Sequence, residues 1–117
     1  MSFNEHTVIC TYRVKAGARD AFLDLLRRHW PTLRDAGLAT DQPALVFESA
    51  PGPDPHDEKG VTFVEIFSWA GAESARLAHE TPAVMSVWEP MGGLTESREG
   101  RPPMEFPHFR PFDPHAA

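Results

Sequence analysis

Residues 6–14, HTVICTYRV, join an apolar run at Val8-Ile9-Cys10 to Tyr12 and Val14 and are rich in β-branched side chains. The pattern predicts a strand with Val8, Cys10 and Tyr12 on one face and Ile9, Thr11 and Arg13 on the other. Lys15-Ala16-Gly17 ends it, and the period then changes. Over residues 18–36, Phe22, Leu25, Leu26, Trp30 and Leu33 recur at spacings of three and four, the single apolar stripe of an amphipathic helix. Pro31 lies inside that pattern and predicts a kink or break near Trp30. Gly37 is placed to stop the helix.

Residues 44–50, ALVFESA, predict a second short strand. Pro51, Pro53 and Pro55 with Gly52 then predict an exposed connection over 51–60. Residues 61–69, VTFVEIFSW, form the strongest strand pattern, with apolar side chains on both faces, as in a central strand covered on both sides. A short helix follows over 72–80. Thr81-Pro82 restarts a second one, since Thr favours the N-cap and Pro the first helical position. Val84, Val87, Trp88 and Met91 make its buried stripe, and Gly92-Gly93 ends it. Residues 104–109 fit an edge strand, where proline is tolerated.

The order is strand, helix, strand, strand, helix pair, strand. This is the α+β, ferredoxin-like split βαβ arrangement, an antiparallel sheet with helices on one face. A single domain over residues 1–112 is expected, with a flexible tail over 113–117. The other sheet face is left bare, yet residues 61–69 are apolar on both sides. A second copy of the same sheet is the simplest cover, so a homodimer is expected.

Composition narrows the function classes. The 117 residues carry 17 acidic and 11 basic side chains, a net charge of −6. That balance argues against tracking nucleic-acid phosphates and against an anionic membrane surface. A lone cysteine, Cys10, leaves no intramolecular disulfide framework and no cysteine zinc site. No basic-then-apolar leader and no apolar run of spanning length is read, and the expected location is the cytoplasm.

Glu65-x-Phe67, Ala75-x-x-x-His79 and Pro82-x-Val84, together with the opening stretch TVICTYRVKAGARDAFLDLL, resemble the antibiotic biosynthesis monooxygenase-like family. The resemblance spans roughly residues 6 to 109. It implies a dimeric α+β barrel, in which two sheets pack face to face, with a pocket in each subunit between helices and sheet. Some relatives insert oxygen into polycyclic aromatic or quinol substrates without metal or flavin. Others degrade haem, using an asparagine on the first strand, a tryptophan on the second helix region and an iron-binding histidine. Those last two positions fall at His79 and Glu89 here, and residues 6–14 hold no asparagine, so no haem is implied. The expected activity is a cofactor-independent monooxygenase acting on an aromatic, quinol-like molecule. The alternatives are a ligand-binding or regulatory dimer without turnover, and an interaction protein with a closed core.

Candidate site residues follow from the same pattern. His79 lies where one short helix ends and the next begins. There it either points into a cavity, as a proton acceptor for a phenol, or bonds to a helix-end carbonyl. Glu65 is a carboxylate in an otherwise apolar strand, sharing its face with Val61, Phe63, Phe67 and Trp69. It must be paired or hydrogen-bonded. Facing the helices it would orient His79; facing the dimer interface it would pair with Arg13 or a partner residue. Phe22, Phe63, Trp69 and Trp88 are candidates to line an aromatic pocket, or they are plain core. Tyr12 is a candidate to hydrogen-bond a ligand there, or it caps a strand edge. Cys10 is expected to be an inert buried thiol. His6, His29, His56, His108 and His115 are scattered. Glu105 and His108 have a helical metal spacing in a segment that is not helical, so no metal is expected. Gly92-Gly93 lacks the lysine and hydroxyl residue of a phosphate loop.

Overall fold

The structure, a computed structural model, describes residues 2–51 and 60–116. The proline-rich connection expected over 51–60 thus lies almost wholly outside the described residues. The elements are β1 (Thr7–Arg13), α1 (Arg19–Asp35), β2 (Leu45–Glu48), β3 (Thr62–Ser68), α2 (Ser74–His79), α3 (Pro82–Gly93), β4 (Met104–Glu105) and β5 (His108–Phe109). The antiparallel sheet has the order β2-β3-β1-β4, with β5 also paired to β1. This is the ferredoxin-like arrangement, and β3 holds the interior position its two apolar faces demanded. No helix among the described residues is long and apolar enough to cross a membrane.

β1 and β3 pair along their whole length, from Thr7 opposite Ser68 to Arg13 opposite Thr62. Opposed residues share a face, so Val8, Cys10 and Tyr12 join Phe63, Glu65 and Phe67 on the helix side, all buried. α1 lays Phe22, Leu25, Leu26 and Leu33 on this layer, and α3 adds Val84, Val87 and Met91. On the other face, Ile9, Val64 and Ile66 are half-buried, while Leu45 and Phe47 of β2 are 45% and 56% exposed. The apolar face anticipated from the sequence is therefore present and open to solvent.

Three details depart from the sequence pattern. α1 runs unbroken through Pro31. Proline removes one backbone bond, a cost of about 3 kcal/mol in a helix interior, but buried side chains on both sides of it hold the axis in place. The helix ends on Gly37, whose φ of 77° suits glycine alone without strain. The Gly37 amide donates to the Arg34 carbonyl and the Leu38 amide to that of Leu33, a Schellman closure. Thr81 stands at the N-cap of α3, but its hydroxyl donates back to the Leu77 carbonyl at 2.8 Å rather than capping the helix. The expected edge strand over 104–109 is split into β4 and β5 by Phe106-Pro107. Pro107 has no N–H to offer, yet its carbonyl accepts from the Ile9 amide at 3.0 Å and keeps the segment on the edge.

Candidate functional site

A cavity of about 260 Å³ lies between the sheet and the helices. Its floor is Val8, Cys10 and Tyr12 from β1 with Phe67 of β3 and Trp69 just beyond it. Its walls are His29 of α1, Ala75 and His79 of α2, Trp88 and Met91 of α3, and Met104, Phe106 and His108 from the last strands. The lining is mostly apolar. For scale, an apolar cavity of about 150 Å³ accepts benzene, so this one has room for a second ring.

One chain of hydrogen bonds crosses the wall. The Tyr12 hydroxyl donates to Glu65 Oε1 at 2.7 Å. His29 Nδ1 meets the same oxygen at 2.7 Å. Trp88 Nε1 donates to His29 Nε2 at 2.8 Å. An indole nitrogen only donates, so His29 Nε2 must offer a lone pair. The network therefore assigns the imidazole proton to Nδ1, from which it donates to Glu65. Glu65 and His29 are 1% and 3% exposed. A carboxylate so deeply buried is sustained by donors rather than by water, and Tyr12 and His29 are those donors. The arrangement can accept a proton at His29 Nε2 while Glu65 stabilises the charge that forms on the ring, once Trp88 has moved aside. Trp69 Nε1 is a buried donor with no acceptor among the described residues, on a side chain that borders the same cavity.

Burial pushes the Tyr12 phenol well above its ordinary 10.0, with the negative charge of Glu65 adding to the effect. Burial and then Glu65 raise the Cys10 thiol well above 9.0 in the same way. Both groups hold their protons longer in the folded state than in the unfolded chain. Their stabilisation is thus complete below pH 9 to 10 and is lost as pH rises through the raised folded values. Tyr12 is the only tyrosine in the chain, which makes this directly measurable. In an alkaline titration the tyrosinate absorbance of the native protein should stay absent at pH 10, where the denatured chain is half ionised. Denaturant midpoints should fall above pH 9. A native tyrosinate band with its midpoint near 10 would contradict the buried Tyr12–Glu65 bond.

The fold can be placed among solved structures. A candidate antibiotic biosynthesis monooxygenase from Nitrosomonas europaea superposes with a TM-score of 0.65 at 17% identity, covering 99% of this chain and 100% of that one. The chain has the antibiotic biosynthesis monooxygenase-like fold. Rv0793 from Mycobacterium tuberculosis is similar too, with a TM-score of 0.62 at 17% identity over 94% of this chain and 97% of its own. So is a variant of SnoaB, a cofactor-independent oxygenase from Streptomyces nogalater, with a TM-score of 0.58 at 13% identity over 93% and 96%. Neither a family model nor a curated protein matches the sequence.

On this fold the candidate residues take distinct places. Tyr12, Trp69 and Trp88 border the cavity. Glu65 faces the helices, as one of its two readings required, but it binds His29 and Tyr12 instead of His79 or Arg13. Arg13 is taken by Glu105 at 3.1 Å and by the Pro102 carbonyl at 2.7 Å. His79 is exposed at the end of α2, beside the cavity, with its ring against that of Trp88 at 4.9 Å between centroids. Phe22 and Phe63 stack on each other at 5.9 Å in the core and back Tyr12 rather than line the cavity. Glu105 and His108 part company. One is bonded to Arg13, and the other borders the cavity.

The residue the sequence reading passed over is His29. Phe22, Leu26, His29 and Leu33 lie four, three and four apart, so His29 sits inside the apolar stripe of α1 and is buried there, while Trp30 is only half-buried. An ionisable group on an apolar stripe, matched by a carboxylate in an apolar strand, was the signal available.

Proposed function

We propose that this protein is a small oxygenase that oxidises a hydroxylated aromatic molecule of one or two rings in the cavity between sheet and helices. The observation that carries this reading is the Trp88–His29–Glu65–Tyr12 hydrogen-bond chain opening on an otherwise apolar cavity. Its apolar walls hold the rings, and the Trp69 N–H offers a bond to a substrate oxygen. His29 Nε2 takes the phenolic proton, and the imidazolium so formed is held by Glu65. The electron-rich phenolate then reacts with dioxygen. A ring C–H becomes C=O, the second oxygen atom leaves as water, and the substrate supplies the electrons. His79 acts at the mouth, supporting the Trp88 ring, rather than as the base. The similarity to SnoaB, an oxygenase described as cofactor-independent, supports the class of reaction through fold alone.

The test is oxygen consumption by purified protein, stripped of metal and flavin, across a panel of naphthols and dihydroxyaromatics. No uptake with any of them refutes the reading. Saturable binding without uptake would establish the competing one, a ligand-binding protein. That reading draws on the same bond: while Trp88 holds the His29 lone pair, an aromatic guest can be bound and left unchanged.

The oligomeric proposal is separate. The open face with Leu45, Phe47, Val64 and Ile66 is an apolar layer of the kind that marks an interaction surface, and a second copy of the same sheet would cover it. Light scattering should give twice the 13.0 kDa chain mass. Phe47→Lys should give the single-chain mass with an unchanged circular dichroism spectrum, because Phe47 is already exposed within one chain. A wild-type protein that is monomeric at micromolar concentration would refute the pairing.

A further inference from the structure

Building on the reading of His29 as the base, we propose that Trp88 is a displaceable stopper on that base, which a ligand can lift only by bringing its own hydroxyl. An imidazole in its neutral form has one lone pair and one N–H. Here both are taken: Nδ1–H by Glu65 and the Nε2 lone pair by Trp88 Nε1. A ligand can therefore reach His29 only by replacing one of the two partners.

The partners are not equally replaceable. Glu65 is 1% exposed and is also held by Tyr12 from β1. Trp88 is half-buried on α3, borders the cavity, and has an exposed ring, His79, against its own. When the indole turns away, its N–H can regain water at the mouth, whereas an abandoned Glu65 cannot. The groups facing His29 are thus Glu65 from β3, Tyr12 from β1 and Trp88 from α3, with His79 of α2 beyond the indole. Of these, only Trp88 can leave at small cost.

The exchange sets the ligand class. A hydroxyl donating to Nε2 replaces the indole N–H bond for bond. A hydrocarbon or an aryl ether has no donor to offer. It would leave the stopper in place and enter only as a guest of the apolar wall. The cavity therefore selects a free hydroxyl on a ring system of one or two rings, and it uncovers its base only for such a molecule.

Naphthol and its methyl ether separate the cases. In Trp88→Phe the stopper's N–H is gone but an aromatic ring remains. The ratio of naphthol affinity to ether affinity should rise about fivefold over wild type, the worth of one neutral hydrogen bond. The ratio cancels any general effect of the roomier cavity. In the unaltered protein, nuclear magnetic resonance should show the Trp88 indole N–H leaving its hydrogen-bonded position and exchanging faster with water when naphthol saturates. The ether should leave it in place. An unchanged ratio, an indole signal indifferent to naphthol, or no naphthol binding by either protein overturns the proposal. Oxygen uptake is read separately. A stopper that lifts in a protein consuming no oxygen stands while the oxygenase reading falls, and turnover with an immobile Trp88 does the reverse.

Discussion

Glu65→Ala should lower the unfolding free energy by about 3 kcal/mol. The substitution leaves the Tyr12 hydroxyl and the His29 N–H buried without their shared acceptor. Hydrogen bonds to a charged group contribute roughly 1.5–3 kcal/mol each. The lower end applies, because the two donors, Tyr12 and His29, border the cavity and can be partly hydrated through it, as Glu65 itself cannot. Against a total stability of about 5–15 kcal/mol, this is a large fraction. It corresponds to a fall in Tm of roughly 10–20 °C for a domain of this size. Glu65→Gln keeps an acceptor oxygen in the same place and should cost clearly less. Thermal or urea unfolding of the two variants checks this. If Glu65→Ala melts with the wild type, the two donors do not depend on Glu65 and the network has been misread.

His29→Gln should have the opposite signature, with little change in stability and a large change in rate. The glutamine amide can still donate to Glu65, so the buried acceptor stays satisfied. It cannot take a proton. General-base catalysis contributes about 10²–10⁴ in rate, and that factor should vanish from turnover in any assay in which the wild type consumes oxygen. The substrate's affinity should change far less, since His29 is the only wall residue altered and the apolar lining stays as it is. A His29→Gln protein that turns over at the wild-type rate would remove the base from the mechanism.

The two residues behind these expectations were unequally visible in the sequence. Glu65 stood out because a carboxylate interrupts VTFVEIFSW, and a charge in such a strand calls for a partner. Its partner did not stand out. His29 lies 36 residues earlier, and nothing local says that α1 crosses β3 at that point. The reading of α1 also favoured Trp30 as the more apolar neighbour, although the spacing from Phe22, Leu26 and Leu33 admits His29 equally well. His79 drew attention by its place between two helices and proves to be exposed. The element order, the interior place of β3, the Gly37 stop and the bare sheet face were all legible, because each follows from local period or turn chemistry. The unbroken passage of α1 through Pro31 was not. There a cost confined to one turn is outweighed by packing on both sides of it.

The two-faced apolar character of β3 has a further consequence for its pairing with β1. Sliding one strand past the other by a single residue exchanges its two faces. In most sheets such a slip would expose oil and bury charge, and so it corrects itself. Here Val64 and Ile66 would replace Phe63 and Phe67 inside with little apolar penalty. What resists the slip is Glu65, whose carboxylate finds Tyr12 and His29 in one alignment only. The same three side chains offered for chemistry thus serve as the key that threads this sheet correctly, and a chain that lost them would have more than one way to assemble.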